Sequence, residues 1–551
     1  MLNPIKTSEL YSSKTSAASY IHKKYNIQLD LNAPTIKVVS KLRDLGEIDY
    51  AIKLLLEVQN KDHSSQSFIE LAVNYQLKDD FSNAIKYLKL SIKKNPKEID
   101  AYAALYNEYI RQGLVGEAKR IIDKALIVSN DIKFKLLNIH LLQRQGLIEE
   151  AILYCEKIFD ENIDNISAWI YYIKLNIYIG EFNKVNDCIA KLKIKNSSQE
   201  QQILFLKAIA AKENFDLESS LDLITDALSI NPKNAAFIKH KIELSLMRFD
   251  TKSAHDNLEE LKKILENNSS SRIRRSSNGG FQRVLYNEMR NNPFQQKLIA
   301  ETYLLPLKEK FLALKNIFKE DPSSFFSALH LLITAMRLGV FTKKSEEVNI
   351  QPQEIPKRIV QYWHEKKLPY DINKFTNSWK KLHSDYKYEI FNDESANLFI
   401  NKNFDTKTFK AFITCKTPAM KADLFRLLYL SIHGGIYADA DDLCRHNIQP
   451  LIKAGSNLIL VQGEMGQICN HFIAVTPKNK FILYLIEKAK EHILTKQGSS
   501  WFATGPALFT ISFCKLFHVN SNLSAPPLSI NLISSYEFKR YVSPHIARQK
   551  K

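Results

Sequence analysis

A chain of 551 residues, 45% hydrophobic and 25% charged, exceeds one ordinary domain and excludes wholesale disorder. Its net charge of +18 is uneven: from Ile355 onward 27 Lys and Arg face 15 Asp and Glu, a basic balance suited to anionic partners such as diphosphates, acidic glycans or lipid headgroups. Six scattered cysteines, with no CxxC pair, exclude a disulfide framework, and no run of 18 apolar residues marks a membrane span. No nucleic-acid-binding signature is present, so nucleic acid is not an expected partner. The expected setting is cytoplasmic, with at most peripheral contact at the inner face of a membrane.

Residues 1–30 read as a Ser-, Lys- and Thr-rich leader. Small residues then recur at Ala51, Ala84, Ala118, Ala151, Val185, Ser219 and Ala254, at intervals of 33, 34, 33, 34, 34 and 35. Five residues before each anchor through Ser219 stands a turn former: Gly46, Asp79, Gly113, Gly146, Gly180 and Asn214. Each anchor begins an amphipathic stretch, such as Ala84, Ile85, Leu88 and Ile92 before Asn95-Pro96. A helix pair every 34 residues resembles a tetratricopeptide repeat array over residues 31–265. Such arrays stack their helices and leave a concave face for a protein partner.

The polar run NNSSSRIRRSSNGG marks a linker at residues 266–282. Residues 283–350 read as a helical connector whose apolar helix, Phe325 to Phe341, starts after Asp321-Pro322-Ser323-Ser324.

The pattern changes at Ile355, and residues 355–551 read as an α/β domain. Ile355 to Trp363 is β-prone. Met420 to Ile432 is an amphipathic helix stopped by His433-Gly434-Gly435, and Ile436-Tyr437-Ala438 is a short strand leading into Asp439, Ala440, Asp441 and Asp442. On extended chain, Asp439 and Asp441 point to one side and can approach one hard cation, for which their oxygen ligands select Mg²⁺ or Mn²⁺. Acidic clusters are also common in solvated turns, so the surrounding residues must decide. Asp423 and Arg426 lie three apart on one helix face, the spacing of an ordinary ion pair.

The string from Ala422 through Arg426 and Tyr429 to His433-Gly434-Gly435-Ile436-Tyr437 and the acidic trio resembles the DxD-containing region of glycosyltransferase family 32, which includes bacterial capsular polysaccharide synthesis proteins. The opening IPKRIVQYW, Asn470-His471-Phe472-Ile473-Ala474 and Thr504-Gly505-Pro506 are similar to other motifs of that family, in its order.

The resemblance implies a GT-A fold and transfer of a hexose or N-acetylhexosamine, with retained anomeric configuration, from a UDP- or GDP-linked donor to a glycan acceptor. By motif position Trp363 stacks on the donor base, Asp423 holds sugar hydroxyls, and Arg426 faces sugar or phosphate. Asp439 contacts ribose and a metal-bound water, Asp441 ligates the metal, and Asp442 lies behind them or at the surface. Asn470, Thr504, Gly505 and Pro506 line the pocket. His545 is a further metal candidate, in a tail that lacks the Trp of the family's HxxxSW-like ending. The expected architecture is a tetratricopeptide-like α-solenoid followed by a GT-A-like α/β domain, acting in bacterial surface polysaccharide synthesis. Two rivals are a protein-modifying transferase whose repeats choose a polypeptide acceptor, and a non-catalytic repeat scaffold with a relict transferase domain.

Overall fold

The computed structural model describes residues 14–26, 35–59, 64–112, 114–161, 165–192, 194–266, 286, 293–340, 354–496, 498–518 and 530–544. Gly113 and His545 lie outside the described residues. The chain is a helical repeat array followed by a GT-A-like α/β domain. Its contacts divide it into two compact units, one holding Met1–Tyr172 with Leu258–Arg283, the other Ile173–Asn257 with Val284–Gln549. Among the described residues, no helix is long and apolar enough to cross a membrane.

In the first unit, helices pair as Thr35–Asp44 with Ile48–Gln59, Ser65–Leu77 with Phe81–Lys94, Ile99–Arg111 with Val115–Val128, and Ile132–Arg144 with Ile148–Glu161. The anchors Ala51, Ala84, Ala118 and Ala151 are fully buried, because only a small side chain lets two helix backbones approach at each crossing. Gly46, Asp79 and Gly146 adopt positive φ between paired helices, the left-handed conformation that ends a helix and turns the chain.

The second unit begins within helix Ile166–Tyr178 and carries the helices Phe182–Lys191, Ser197–Glu213, Leu217–Ile230 and Ala235–Met247. Here the register departs from the sequence reading by one residue. The left-handed position is Phe215 (φ 57°) and not Asn214, which caps the 17-residue helix before it. Ser219 is exposed, and the small residue at the crossing is the fully buried Ser220, whose hydroxyl donates to the Ala208 carbonyl at 2.6 Å. The connector helix Phe325–Arg337 starts at a Ser324 cap and is buried along its first eleven residues. It packs on helix Pro506–His518, where the Cys514 thiol approaches the Ala328 carbonyl.

The α/β domain is built on a six-stranded sheet in the order β2-β1-β3-β6-β5-β7. The strands are β1 Arg358–Tyr362, β2 Lys387–Phe391, β3 Gly435–Ala438, β5 Leu458–Gln462, β6 Ile468–Val475 and β7 Ile530–Ser534; β4 Leu443–Cys444 and β8 Val542–Ser543 form a separate two-stranded ribbon. Pairing is parallel for β1 with β2 and β3 and for β5 with β7, while β6 runs antiparallel to β3 and β5. Five strands therefore end on one edge, joined there by the start of β6. In open α/β sheets that carboxyl edge is where ligands bind.

Helix Pro418–His433 is cut to length by its ends. Thr417 caps it by accepting from the Met420 amide at 3.2 Å, and Gly434 (φ 59°) stops it. Gly435 follows at φ 96°, where a Cβ would meet the Arg358 carbonyl oxygen at 2.7 Å. Two glycines thus let the chain leave the helix and enter β3 hard against β1.

Candidate active site

The acidic segment starts where β3 ends. Asp439 still hydrogen-bonds across to β6, its amide donating to the His471 carbonyl at 2.9 Å. The chain then turns, with the Asp442 amide donating to the Asp439 carbonyl at 3.2 Å, and β4 begins at Leu443. Asp439 and Asp441 therefore sit on a tight turn and not on the extended chain expected from their spacing. The short link between Ala438 and Leu443 forces this reversal. Ala440 is buried in a small cluster with Ile372, Phe375 and Leu443, against which the half-buried Trp363 packs. Trp363 thus lies beside the turn, at the end of β1. Asp442 is fully buried; its carboxylate lies 3.1 Å from His471 Nδ1, and its carbonyl accepts from Trp379 Nε1 at 2.9 Å.

Four other predicted residues meet Asp439 in one network. Arg426, 3% exposed, places its guanidinium 3.0 Å from Asp423 and 3.1 Å from Asp439. It also donates to the carbonyls of Ala422 and Asn470 and lies over the Tyr437 ring at 4.3 Å. The Asn470 amide donates to one Asp423 oxygen at 2.8 Å and the Thr504 hydroxyl to the other at 2.9 Å. Tyr437 donates its hydroxyl to Asp439 at 3.1 Å, and Gln361 donates to the Asp439 carbonyl at 3.1 Å. Gly505 is buried, with space for a Cβ closed by the Trp501 backbone at 3.0 Å, and Pro506 opens the next helix. These two shape the turn that delivers Thr504 to Asp423.

The electrostatics follow from burial. Removal from water opposes the Arg426 charge, but Tyr437, Asp439 and Asp423 outweigh it and hold the guanidinium protonated. For Asp423 burial wins: its carboxyl is pushed up to about 6, against Arg426 and the Thr504 and Asn470 hydrogen bonds, with Asp439 adding to the rise. Folding therefore binds a proton on Asp423 between about pH 4 and pH 6. That contribution to stability is complete below the ordinary carboxylate range and is lost as pH rises through about 6. Urea midpoints of wild type should fall across this window, and Asp423→Asn should flatten the fall; an unchanged slope in the variant would assign it to other groups.

Among the described residues no three His, Cys, Asp or Glu side chains gather into a metal cage. The protein thus offers the carboxylates of Asp441, half-buried, and Asp439, partly engaged by Arg426 and Tyr437. That donor set fits Mg²⁺ or Mn²⁺, which are held by one or two carboxylates plus water and substrate phosphates, and does not fit a structural zinc site.

Sequence reasoning did not single out Tyr437, Gln361 or His471. His471 was in view beside Asn470, and strand alternation carries the signal: neighbours on β6 face opposite ways, so Asn470 serves Asp423 while His471 serves Asp442.

Residues 369–457 match the family model described as "Glycosyltransferase sugar-binding region containing DXD motif". The match includes Asp423, Arg426, Asp439 and Asp441. Inositol phosphoceramide mannosyltransferase 1 of Schizosaccharomyces pombe is 24% identical over 204 residues, 35% of this chain and 63% of that protein. A mannosyl phosphorylinositol ceramide synthase of Saccharomyces cerevisiae is 30% identical over 169 residues, 29% of this chain and 43% of that protein. The chain therefore spans less than two thirds of these relatives. A tetratricopeptide repeat protein from Parabacteroides merdae aligns at 18% identity with 50% of this chain and 99% of its own, at a TM-score of 0.31. Residues 369–457 of the α/β domain are thus similar to the sugar-binding, DXD-containing region of glycosyltransferases.

Proposed function

We propose that this chain is a metal-dependent glycosyltransferase that moves a hexose from a nucleoside diphosphate donor to a hydroxyl of a glycan acceptor. The observation that carries the reading is the convergence of Asp423, Arg426, Asn470, Thr504 and Asp439 in one buried network, with Asp441 on the adjoining turn at the carboxyl edge of the sheet. The names of the relatives favour mannose as the hexose; GDP-mannose is the first donor to test.

In this reading Asp441 and Asp439 hold Mn²⁺ or Mg²⁺, which supplies charge neutralisation for the departing nucleoside diphosphate. Asp423 accepts hydrogen bonds from donor-sugar hydroxyls, oriented by Asn470 and Thr504, and Trp363 packs against the base. Arg426 fixes both carboxylates in place. The bond between the anomeric carbon and the phosphate oxygen breaks, and the leaving phosphate takes the proton of the acceptor hydroxyl. The new glycosidic bond then forms on the same face, with retained configuration and no enzyme nucleophile. Bacterial surface polysaccharide is the proposed setting. A polypeptide acceptor is the second reading, favoured because the helices from Ile173 to Asn257 share a compact unit with the transferase domain.

The test is donor hydrolysis and transfer across UDP- and GDP-linked hexoses and N-acetylhexosamines, with Mn²⁺ and with chelator. Metal-dependent turnover of one donor is the expected result. Absence of turnover and of metal-dependent binding for every donor would overturn the reading and return attention to the repeats.

A further inference from the structure

Resting on the transferase reading above, we propose that Glu213, at the end of a repeat helix, is a positioning residue for the acidic turn, acting through the segment from Ser535 to Ser543. The segment is a strap fixed at both ends. At one end Glu213, 8% exposed, accepts the single proton of the Tyr536 hydroxyl, shared between its carbonyl at 2.9 Å and its carboxylate. Lys212 Nζ, 2.9 Å from both Glu213 and Glu243, balances the buried charge.

Gly180 leaves the space that Tyr536 fills, since a Cβ there would lie 2.6 Å from Tyr536 Cβ. Phe182 meets the Tyr536 ring edge-on at 5.2 Å, and Arg540 reaches Glu181 at 2.8 Å.

The other end of the strap lies against the acidic turn. Phe538 packs on His471 at 5.1 Å and on Phe472 at 5.0 Å, and His471 in turn contacts the Asp442 carboxylate. The Tyr541 carbonyl accepts from the amides of Arg445 at 2.8 Å and His446 at 3.2 Å. β8 then pairs with β4 immediately after Asp442. The strap therefore fixes Asp442 from behind and the chain that follows it from the side.

A cavity of about 620 Å³, lined by Gly180, Glu213, Phe215, Gln462, Tyr536 and Arg540 among others, lies beside the strap. An unhooked Tyr536 has room to move there.

Hydrogen exchange on the metal-free, full-length protein tests the coupling directly. In Tyr536→Phe, which removes the hydroxyl that both Glu213 oxygens accept, the amides of Asp442, Arg445 and His446 should exchange about tenfold faster, and in Glu213→Ala, which keeps the Glu213 carbonyl and loses the carboxylate, by a smaller factor, with Ile359 and Ile390 on β1 and β2 unchanged. Glu213→Gln keeps an oxygen for the Tyr536 hydroxyl and should stay near wild type. Binding of GDP-mannose in Mn²⁺ should weaken about fivefold in the first two variants, and binding without metal should not change.

Unchanged exchange at the turn, or a uniform rise across the sheet, would overturn the proposal; should Glu213→Ala fail to fold, Tyr536→Phe decides. A wild type that binds none of the donors in Mn²⁺ would sink the transferase reading and leave the exchange result standing.

Discussion

Asp441→Ala is expected to lower metal-dependent donor turnover on the order of 10³-fold while leaving the fold intact. The turn that carries Asp441 is closed by a backbone hydrogen bond from Asp442 to Asp439 and continued by the pairing of β4 with β8. Both survive loss of the side chain. Stability should therefore change by about 1 kcal/mol, the centre of the range for single substitutions, which leaves the fold intact. Turnover should fall much further, because charge stabilisation of a leaving diphosphate contributes several kcal/mol, and about 4 kcal/mol is a factor of roughly 10³. Steady-state hydrolysis in saturating Mn²⁺, read beside a thermal melt, checks both parts. Activity within tenfold of wild type would remove Asp441 from the metal site. Asp439→Ala is a poorer probe, since it also strips Arg426 of a partner.

The largest effect on stability is expected from Arg426→Met. Arg426 is buried between two carboxylates and also serves the Asn470 carbonyl and the Tyr437 ring. Its removal leaves Asp423 and Asp439 facing each other with no counter-charge, at a cost of about 3–5 kcal/mol. The urea midpoint should drop accordingly with little change in slope. Lysine is no substitute, because a single ammonium cannot reproduce the planar fork that spans both acids. Adding Asp423→Asn to Arg426→Met removes one of the two orphaned charges, so the double variant should be more stable than the sum of the single effects. A loss below about 1 kcal/mol for Arg426→Met would show that the carboxylates are screened by water.

The repeats were legible because their period is enforced by geometry. A helix crossing tolerates only a small residue, and those residues recur at Ala51, Ala84, Ala118 and Ala151, all fully buried. The register slipped at Ser219 and Asn214 because the long helix Ser197–Glu213 places the left-handed residue at Phe215, a type that propensity argues against. Where the compact units divide was not legible, since one amphipathic repeat looks like the next; the sequence change lies at Ile355, whereas the second unit begins at Ile173.

Asp423, Arg426, Asn470 and Thr504 were singled out through motifs, and the fold brings them together as hydrogen-bonding partners across as many as 81 residues. The turn at Asp439 to Asp442 was misread as extended because spacing alone cannot tell i and i+2 on a strand from the same residues on a turn. The burial of Asp442 depends on Trp379 and His471, 63 and 29 residues away. The link from Tyr536 to Glu213 spans 323 residues and leaves no local signal in either segment.

The central claim is that the turn from Asp439 to Asp442 holds a divalent cation and, with it, a donor nucleotide. Anomalous diffraction at the manganese edge, from crystals grown with Mn²⁺ and a donor nucleotide that the wild type binds, tests it most directly. The account predicts an anomalous peak in coordination distance of the Asp441 carboxylate, with the diphosphate on its open side and the base against Trp363. Nucleotide bound elsewhere, or manganese absent from Asp441 in a nucleotide-bound crystal, would contradict it.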